Sequence, residues 1–280
     1  MEDAVPCVAV VGDCLICAVA DGMTRKVIQG YYPDPSPAFQ AATLAVGSCT
    51  RFLAERLKEE TYETLLTQKL LNKAVCAANA SVGKLNQQLH LYKEVSPKKL
   101  HKDLAATSLT VIVLKPEPKG KSHLYFGHIT DSRLLVGNGK RGLRLLTPTQ
   151  TARVTTYKRR VRQNAPFLGQ GRSDDHARFM YRLTRNNSDP SNDLCWGALT
   201  GEKNAELYIT TGEAILAPED AVLLMTDATN HVDNITIASC LSSIPYNQIF
   251  SSLFSIELMF HQFRKTELDP DFSGVLISPR

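Results

Sequence analysis

An apolar run that ends in an aspartate recurs in this chain. Residues 14–22 read Cys-Leu-Ile-Cys-Ala-Val-Ala-Asp-Gly, seven small or branched apolar residues followed by Asp21 and Gly22. The pattern predicts a buried strand that delivers a carboxylate to its exposed end, with a glycine that allows a tight turn and leaves its carbonyl unshielded. Taken alone, an Asp-Gly here is a strand followed by a turn. Repetition changes that reading. Leu223-Leu224-Met225-Thr226 also runs into Asp227, Phe126 to Thr130 runs more loosely into Asp131, and Asp271 precedes the apolar Val275-Leu276-Ile277. With Asp3 near the start, these acids fall at strand ends or beside turns. If antiparallel strands bring the ends together, the carboxylates cannot all ionise at neutral pH unless something neutralises them. Hard divalent cations suit an all-oxygen site, which points to Mg²⁺ or Mn²⁺. No His/Cys cluster with zinc spacing competes.

The elements that must position these acids follow from periodicity. Val8 to Val11, the turn Gly12-Asp13 and the run from Cys14 form a hairpin signal. A loop over residues 23–37 ends at Ser36-Pro37, a helix N-cap and first helical position, after which Phe39, Ala42, Val46, Leu53 and Leu57 keep helical spacing. A second helix is predicted over residues 63–91, with Leu66, Leu70, Ala74, Ala77, Leu85 and Leu89 along one face. Strands follow over 104–114, 122–129, 133–136 and 143–146, with Gly137-Asn138-Gly139 as a hairpin turn. Residues 151–193 are polar and basic with little periodicity and read as an insertion or flap. Strands return over 208–210, 214–216 and 221–226, helices are predicted over 229–241 and 246–264, and 272–278 is a closing strand. Segregated runs of strands and helices predict antiparallel sheets with helices packed outside, in one domain over residues 1–280.

Composition excludes several classes. With 43% hydrophobic and 21% charged residues the chain is an ordinary soluble globule, and no apolar run approaches the roughly 20 residues that span a bilayer. The first residues are acidic, unlike a secretory signal. Seven cysteines, an odd number scattered through apolar runs, suit a reducing compartment, so a cytoplasmic location is expected. Cys14 and Cys17 form a C-x-x-C inside a strand-like segment, where no second pair supports zinc or redox chemistry. The net charge of +4 is too small to imply nucleic acid by itself.

Taken in order, the motifs resemble those of the metal-dependent type 2C (PPM-type) protein phosphatases along nearly the whole chain. Glu2-Asp3-Ala4 is similar to the family's opening Glu-Asp, and Ala20-Asp21-Gly22-Met23 to its Ala-Asp-Gly-Met. Ala106-Thr107-Ser108 is similar to its Gly-Thr-Thr, and Thr130-Asp131-Ser132-Arg133 to its Gly-Asp-Ser-Arg, followed by Leu145-Leu146-Thr147. Gly197 to Gly201 sits where an Ala-Leu-Gly segment is expected, Leu223 to Ala228 resembles Leu-Leu-Ser-Asp-Gly, and Asp271-Phe272-Ser273 resembles the final Asp-Asn-x-Thr. The resemblance implies an α+β fold of two stacked antiparallel β-sheets flanked by helices, an α-β-β-α sandwich with two metals at one end. It implies that Asp21 bridges the metals, the Gly22 carbonyl holds one, and Asp227 and Asp271 hold the other. Asp3 would orient a metal-bound water and Asp131 would serve a third, weaker site. Two cations about 3.5–4 Å apart lower the pKa of a shared water, and the resulting hydroxide attacks phosphorus in line.

Several positions depart from the family pattern. Thr130 and Ala228 replace glycines, and Lys26 stands at the position of a histidine. Two function classes follow. One is a phosphatase acting on phosphoserine or phosphothreonine of a protein substrate, with Arg25 and Lys26 as phosphate contacts. The other is a pseudophosphatase that keeps the fold and docks a regulatory protein partner. The basic residues 158–162, with Arg172, Arg178, Arg182 and Arg185, read first as a solvated face and second as a flap meeting an acidic or phosphorylated partner. Few aromatics and no nucleic-acid motif accompany them. Ser132 lacks a nucleophile elbow, His128 and His231 read as packing residues, and so does Trp196.

Overall fold

The computed structural model describes residues 3–23, 34–59, 68–93, 96–138, 140–164, 170–226, 246–250, 254–261 and 272–279. Strand β2 (Cys14–Val19) is buried on both faces, paired with β1 (Cys7–Val11) across the predicted hairpin. Its side chains alternate as a pleated strand requires: Cys14, Ile16 and Ala18 join one apolar core, and Leu15, Cys17 and Val19 join another. The two cysteines of the C-x-x-C therefore face opposite sides of a sheet, as that spacing predicts. Burial raises the Cys17 thiol far above its ordinary pKa, which keeps it protonated.

Around β2 grows a five-stranded antiparallel sheet that adds β3 (Leu109–Pro116), β4 (Ser122–Ile129) and β7 (Thr210–Leu216), in the order β1-β2-β3-β4-β7. A second antiparallel sheet has six strands. They are β5 (Arg133–Asn138), β6 (Gly142–Leu145), β8 (Ala221–Met225), β9 (Tyr246–Phe250), β10 (Phe254–His261) and β11 (Phe272–Pro279), in the order β6-β5-β8-β11-β10-β9. Leu15, Cys17, Ile112 and Leu124 from the first sheet meet Leu134, Leu224, Val275 and Ile277 from the second, so the sheets stack face to face.

Two helices cover the outer face of the five-stranded sheet. Helix α1 (Pro37–Glu59) starts where Ser36 and Pro37 predict, and the Phe39 N–H donates to Ser36 Oγ at 3.0 Å. Ala42, Val46, Leu53 and Leu57 are buried on the sheet, and Phe39 is half-buried. Helix α2 (Gln68–Gln88) lies beside α1, and its buried face carries two asparagines that the apolar periodicity missed. Asn79 Oδ1 accepts from the Thr200 and Gly201 N–H groups at 3.0 and 2.8 Å. Asn86 donates to the Ala105 and Thr200 carbonyls, both at 2.9 Å, and accepts from the Ala105 N–H. Buried amides that find such partners fasten the loop of residues 197–202 to the helix. At this crossing Gly83 and Gly201 touch backbone to backbone: a β-carbon on Gly201 would come within 2.1 Å of the Gly83 Cα.

Two stretches differ from the sequence expectation. Residues 246–264 are expected to be helical, yet β9 and β10 occupy 246–250 and 254–261, with β10 paired to β11 from Phe254↔Pro279 to His261↔Phe272. The run Phe254, Ile256, Leu258, Phe260 also alternates with period two, and pairing along β11 selects that period. The polar stretch 151–193 contains two helices, α3 (Ala152–Asn164) and α4 (Gln170–Leu183). Their small apolar face, Val154 with the half-buried Tyr181, closes on Trp196, Ala106, Ala198 and Met23. The helix predicted over 229–241 lies outside the described residues. Among the described residues, no helix is long and apolar enough to cross a membrane.

Candidate functional site

Asp3 and Asp21 come together at one end of the sandwich, and the turn that carries Asp131 is tied to the same end. Asp3 and Asp21 oppose each other in an antiparallel bridge beyond the β1–β2 hairpin, anchored by the Ala4 N–H on the Ala20 carbonyl at 3.0 Å. Asp3 is 1% exposed, and Asp21 is half-buried. Residues just ahead of β3 fix the backbone of Asp21. Its N–H donates to Ser108 Oγ at 3.1 Å, and its carbonyl accepts from the Thr107 hydroxyl at 2.7 Å and the Ser108 N–H at 2.9 Å. Gly22 pairs with Thr107, and the flanking ladder bonds come from Ser108 and from Met23, whose N–H reaches the Ala106 carbonyl at 2.9 Å. The Gly22 carbonyl therefore points away from the Thr107 strand.

Ser108 also carries the link to Asp131. Its hydroxyl lies 2.6 Å from Ser132 Oγ, so the turn after β4 is pinned beside Asp21. Ser132 is 1% exposed and spends its hydroxyl in this bond, which suits a positioning residue and not a nucleophile. Asp131, 8% exposed, accepts a hydrogen bond from Thr151 at 2.9 Å, and Thr151 stands directly ahead of α3. Thr226 serves Asp3: its hydroxyl donates to Asp3 Oδ2 at 2.6 Å and accepts from the Ser273 N–H at 3.1 Å. Thr226 follows β8 and Ser273 is the second residue of β11, so the ends of these central strands reach the same acids. Asp227 and Asp271, expected as metal ligands, and Arg25 and Lys26, expected as phosphate contacts, lie outside the described residues. Among the described residues, no group of three metal-capable side chains is brought together.

Sequence reasoning named the acids but missed their hydroxyl partners Ser108, Thr151 and Thr226. Thr and Ser are common on strands, and only three-dimensional contact distinguishes these three. It also missed Gln150, whose Oε1 accepts from the Gly197 N–H at 3.2 Å and the Thr130 N–H at 3.3 Å, while its amide donates to the Tyr208 carbonyl at 2.7 Å. Thr130 replaces the glycine of the motif and keeps a glycine-like conformation, with φ of 85°. Such a φ strains a β-branched residue. Its hydroxyl donates to the Gly197 carbonyl at 2.7 Å, which offsets part of that strain. Thr130→Ala should lose the bond and keep the strain, whereas Thr130→Gly loses the bond and the strain together. The glycine variant is thus expected to be about 1 kcal/mol more stable than the alanine variant in urea unfolding. An alanine variant at least as stable as the glycine one would contradict the strained reading.

His128 on β4 is fully buried. Its Nε2 faces the Pro148 carbonyl at 2.9 Å, so that nitrogen carries the proton, and its Nδ1 accepts from the Thr110 hydroxyl at 2.9 Å. Burial lowers its pKa from 6.5 to about 4. In the unfolded chain the imidazole takes up a proton near pH 6.5, and in the folded chain only near pH 4. The stability it contributes is therefore complete above pH 6.5 and is lost as pH falls toward 4, by up to roughly 3 kcal/mol. Urea midpoints should fall across that window, and the fall should be shallower in His128→Gln. Equal pH slopes in both proteins would rule the histidine out as its cause.

On α3, Lys158 turns inward. Its ammonium lies 4.4 Å from the centre of the Tyr181 ring, and that ring packs on Trp196 with centroids 4.2 Å apart. Burial lowers the Lys158 pKa, Arg162, Arg178 and Arg182 lower it further, and the charge of Asp131 opposes them. A cavity of about 420 Å³ lies elsewhere, lined by Gln150, Arg153, Cys195 and Tyr208 among others, and is not lined by Asp3, Asp21 or Asp131.

No family model matches the sequence, and no curated protein matches it. Solved structures do match the fold. A phosphatase from a pathogenic strain of Toxoplasma gondii aligns with a TM-score of 0.52 at 12% identity, covering 99% of this chain and 88% of its own. The catalytic domain of the serine threonine protein phosphatase PstP, in complex with two manganese ions, aligns with a TM-score of 0.49 at 19% identity, covering 97% and 89%. The PPM Ser-Thr phosphatase MsPP from Mycobacterium smegmatis, in complex with cacodylate, aligns with a TM-score of 0.43 at 15% identity, covering 99% and 92%. With two stacked antiparallel sheets and outer helices, the chain shares its fold with that phosphatase from a pathogenic strain of Toxoplasma gondii.

Proposed function

We propose that the chain is a metal-dependent phosphatase of phosphoserine or phosphothreonine in a cytoplasmic protein. Asp21 would be shared by two Mg²⁺ or Mn²⁺ ions, the Gly22 carbonyl would hold one, and Asp227 and Asp271 the other. Asp131 would serve a third, weaker site. The observation that carries the reading is the opposition of Asp3 and Asp21, with Asp131 tied to the same end through Ser132 and Ser108. Two directly opposed carboxylates, one of them buried, repel when both are ionised, and a divalent cation beside them turns that cost into binding energy. The residues present fit such a cation: the donors are all oxygen, and Thr107 and Ser108 hold the backbone of Asp21 in place.

When bound, the cations would supply a water of lowered pKa and neutralise charge on the phosphoryl oxygens. Asp3, oriented by Thr226 and shielded from solvent, would accept a hydrogen bond from that water and set its direction of approach. Thr151 would fix the carboxylate of Asp131. All six described cysteines carry free thiols, as a reducing compartment favours. The test is hydrolysis of a phosphothreonine peptide with Mn²⁺, in the unmodified protein and in Asp21→Ala and Asp227→Ala. Absence of hydrolysis with every divalent metal would leave the fold as a binding module for a regulatory partner, and hydrolysis surviving both substitutions would dismiss the metal mechanism.

A further inference from the structure

We infer that Lys158 binds the phosphate of the substrate, as a preset ammonium on the face of α3 that Thr151 ties to Asp131. This deepens the proposed phosphatase reading and rests on it for the nature of the ligand. Thr151, Val154 and Lys158 follow a spacing of three and four, so they share one face of α3 and its N-terminal turn. Each of the three meets the site or its wall: Thr151 bonds Asp131 at 2.9 Å, Val154 is 1% exposed against Ala106 and Trp196, and Lys158 feels the charge of Asp131. The other basic residues of the helix, Arg153, Arg159, Arg160 and Arg162, are exposed on its remaining surface.

A lysine that merely solubilised α3 would join them. Lys158 instead rests on Tyr181, and Tyr181 is fixed by Trp196, fully buried, whose indole N–H donates to the Tyr181 carbonyl at 2.9 Å. The ammonium thus loses little freedom when a ligand arrives. Two of the nearby cations have acids of their own, Arg162 with Asp174 at 2.6 Å and Arg182 with Asp103 at 2.7 Å. Once cations neutralise the carboxylates, Lys158 offers positive charge and three donors on that face of α3. A phosphate monoester dianion is the ligand that charge and donor set fit.

The experiment is calorimetric titration of the full chain, loaded with Mn²⁺, with inorganic phosphate. Lys158→Met should weaken phosphate binding by about tenfold or more, the loss of one charge-assisted contact, and Lys158→Arg should retain most of it. Lys158→Gln carries the comparison if the methionine variant fails to fold. Unchanged phosphate affinity in a folded variant overturns the inference, as does a wild-type protein that binds no phosphate. Tighter Mn²⁺ binding in Lys158→Met with phosphate affinity unchanged also overturns it, because Lys158 would then be only a stand-in for a cation beside Asp131. Phosphate binding that depends on Lys158 in a protein without hydrolysis sustains this inference while the catalytic reading falls, and hydrolysis with phosphate affinity indifferent to Lys158 does the reverse.

Discussion

Asp21→Ala is expected to reduce Mn²⁺-dependent hydrolysis of a phosphothreonine peptide by about a thousandfold or more, at the upper end of what losing one electrostatic contact to a transition state costs. The reason is position. Asp21 closes β2, the strand with both faces buried, and three hydrogen bonds from Thr107 and Ser108 fix its backbone. That fixed backbone sets Asp21 opposite another acid, Asp3. A ligand shared by two cations weakens both when removed, so kcat should fall and the Mn²⁺ concentration for half-activity should rise together. Asp21→Asn keeps the shape and removes the charge, and should lie close to Asp21→Ala. The fold should survive in both, because removing one of two opposed carboxylates relieves repulsion. A melting temperature held or raised while hydrolysis disappears would separate loss of chemistry from loss of structure. Activity within tenfold of the unmodified protein would defeat the assignment of Asp21.

Asp103→Ala is expected to destabilise the fold by about 3–5 kcal/mol, a third or more of the stability usual for a domain. Asp103 is 1% exposed and lies between two buried guanidiniums. Arg182 Nε reaches Asp103 Oδ2 at 2.7 Å, and Arg185 reaches Oδ1 with one nitrogen at 3.2 Å and Oδ2 with the other at 3.4 Å. The Leu104 N–H donates to the same carboxylate at 2.9 Å. Truncation would remove the charge between two buried cations and leave Glu202, 3.9 Å from Arg185 Nε and partly exposed, as a poor substitute. Because Arg182 belongs to α4 and Asp103 follows the 3₁₀ segment Pro97–Lys102, the loss should loosen the paired helices α3 and α4 from the sandwich. Asp103→Asn, which keeps one acceptor oxygen without the charge, should fall between. Urea unfolding measures both, and a loss below 1 kcal/mol for the alanine variant would mean that the guanidiniums find water or other acids.

Much of this molecule was legible before any coordinates. The strand Cys14–Val19 announced itself because small branched residues fit both faces of a stacked sheet, and α1 did so because Ser36-Pro37 and a sustained helical period act within a few residues of each other. Local signals are cheap to read, because the physics behind them is local. The acids Asp3, Asp21 and Asp131 could be named for the same reason, as carboxylates beside strand ends.

What the linear order withheld is whatever depends on partners distant along the chain. Residues 246–261 carry apolar side chains at both helical and alternating spacing, and only the hydrogen-bonding groups offered by β11 decide for strands. Residues 151–193 looked structureless because they are polar, yet α3 and α4 need only Val154, Tyr181 and a few neighbours to dock beside Trp196. Thr226 holding Asp3 across 223 positions, and Asn79 accepting from Thr200 across 121, leave no local trace. The sequence by itself determined which side chains could carry chemistry and which segments could bury themselves. Tertiary structure alone decided which hydroxyl meets which carboxylate and which lysine rests on Tyr181, because such contacts act over a few ångströms and the chain order does not encode that distance.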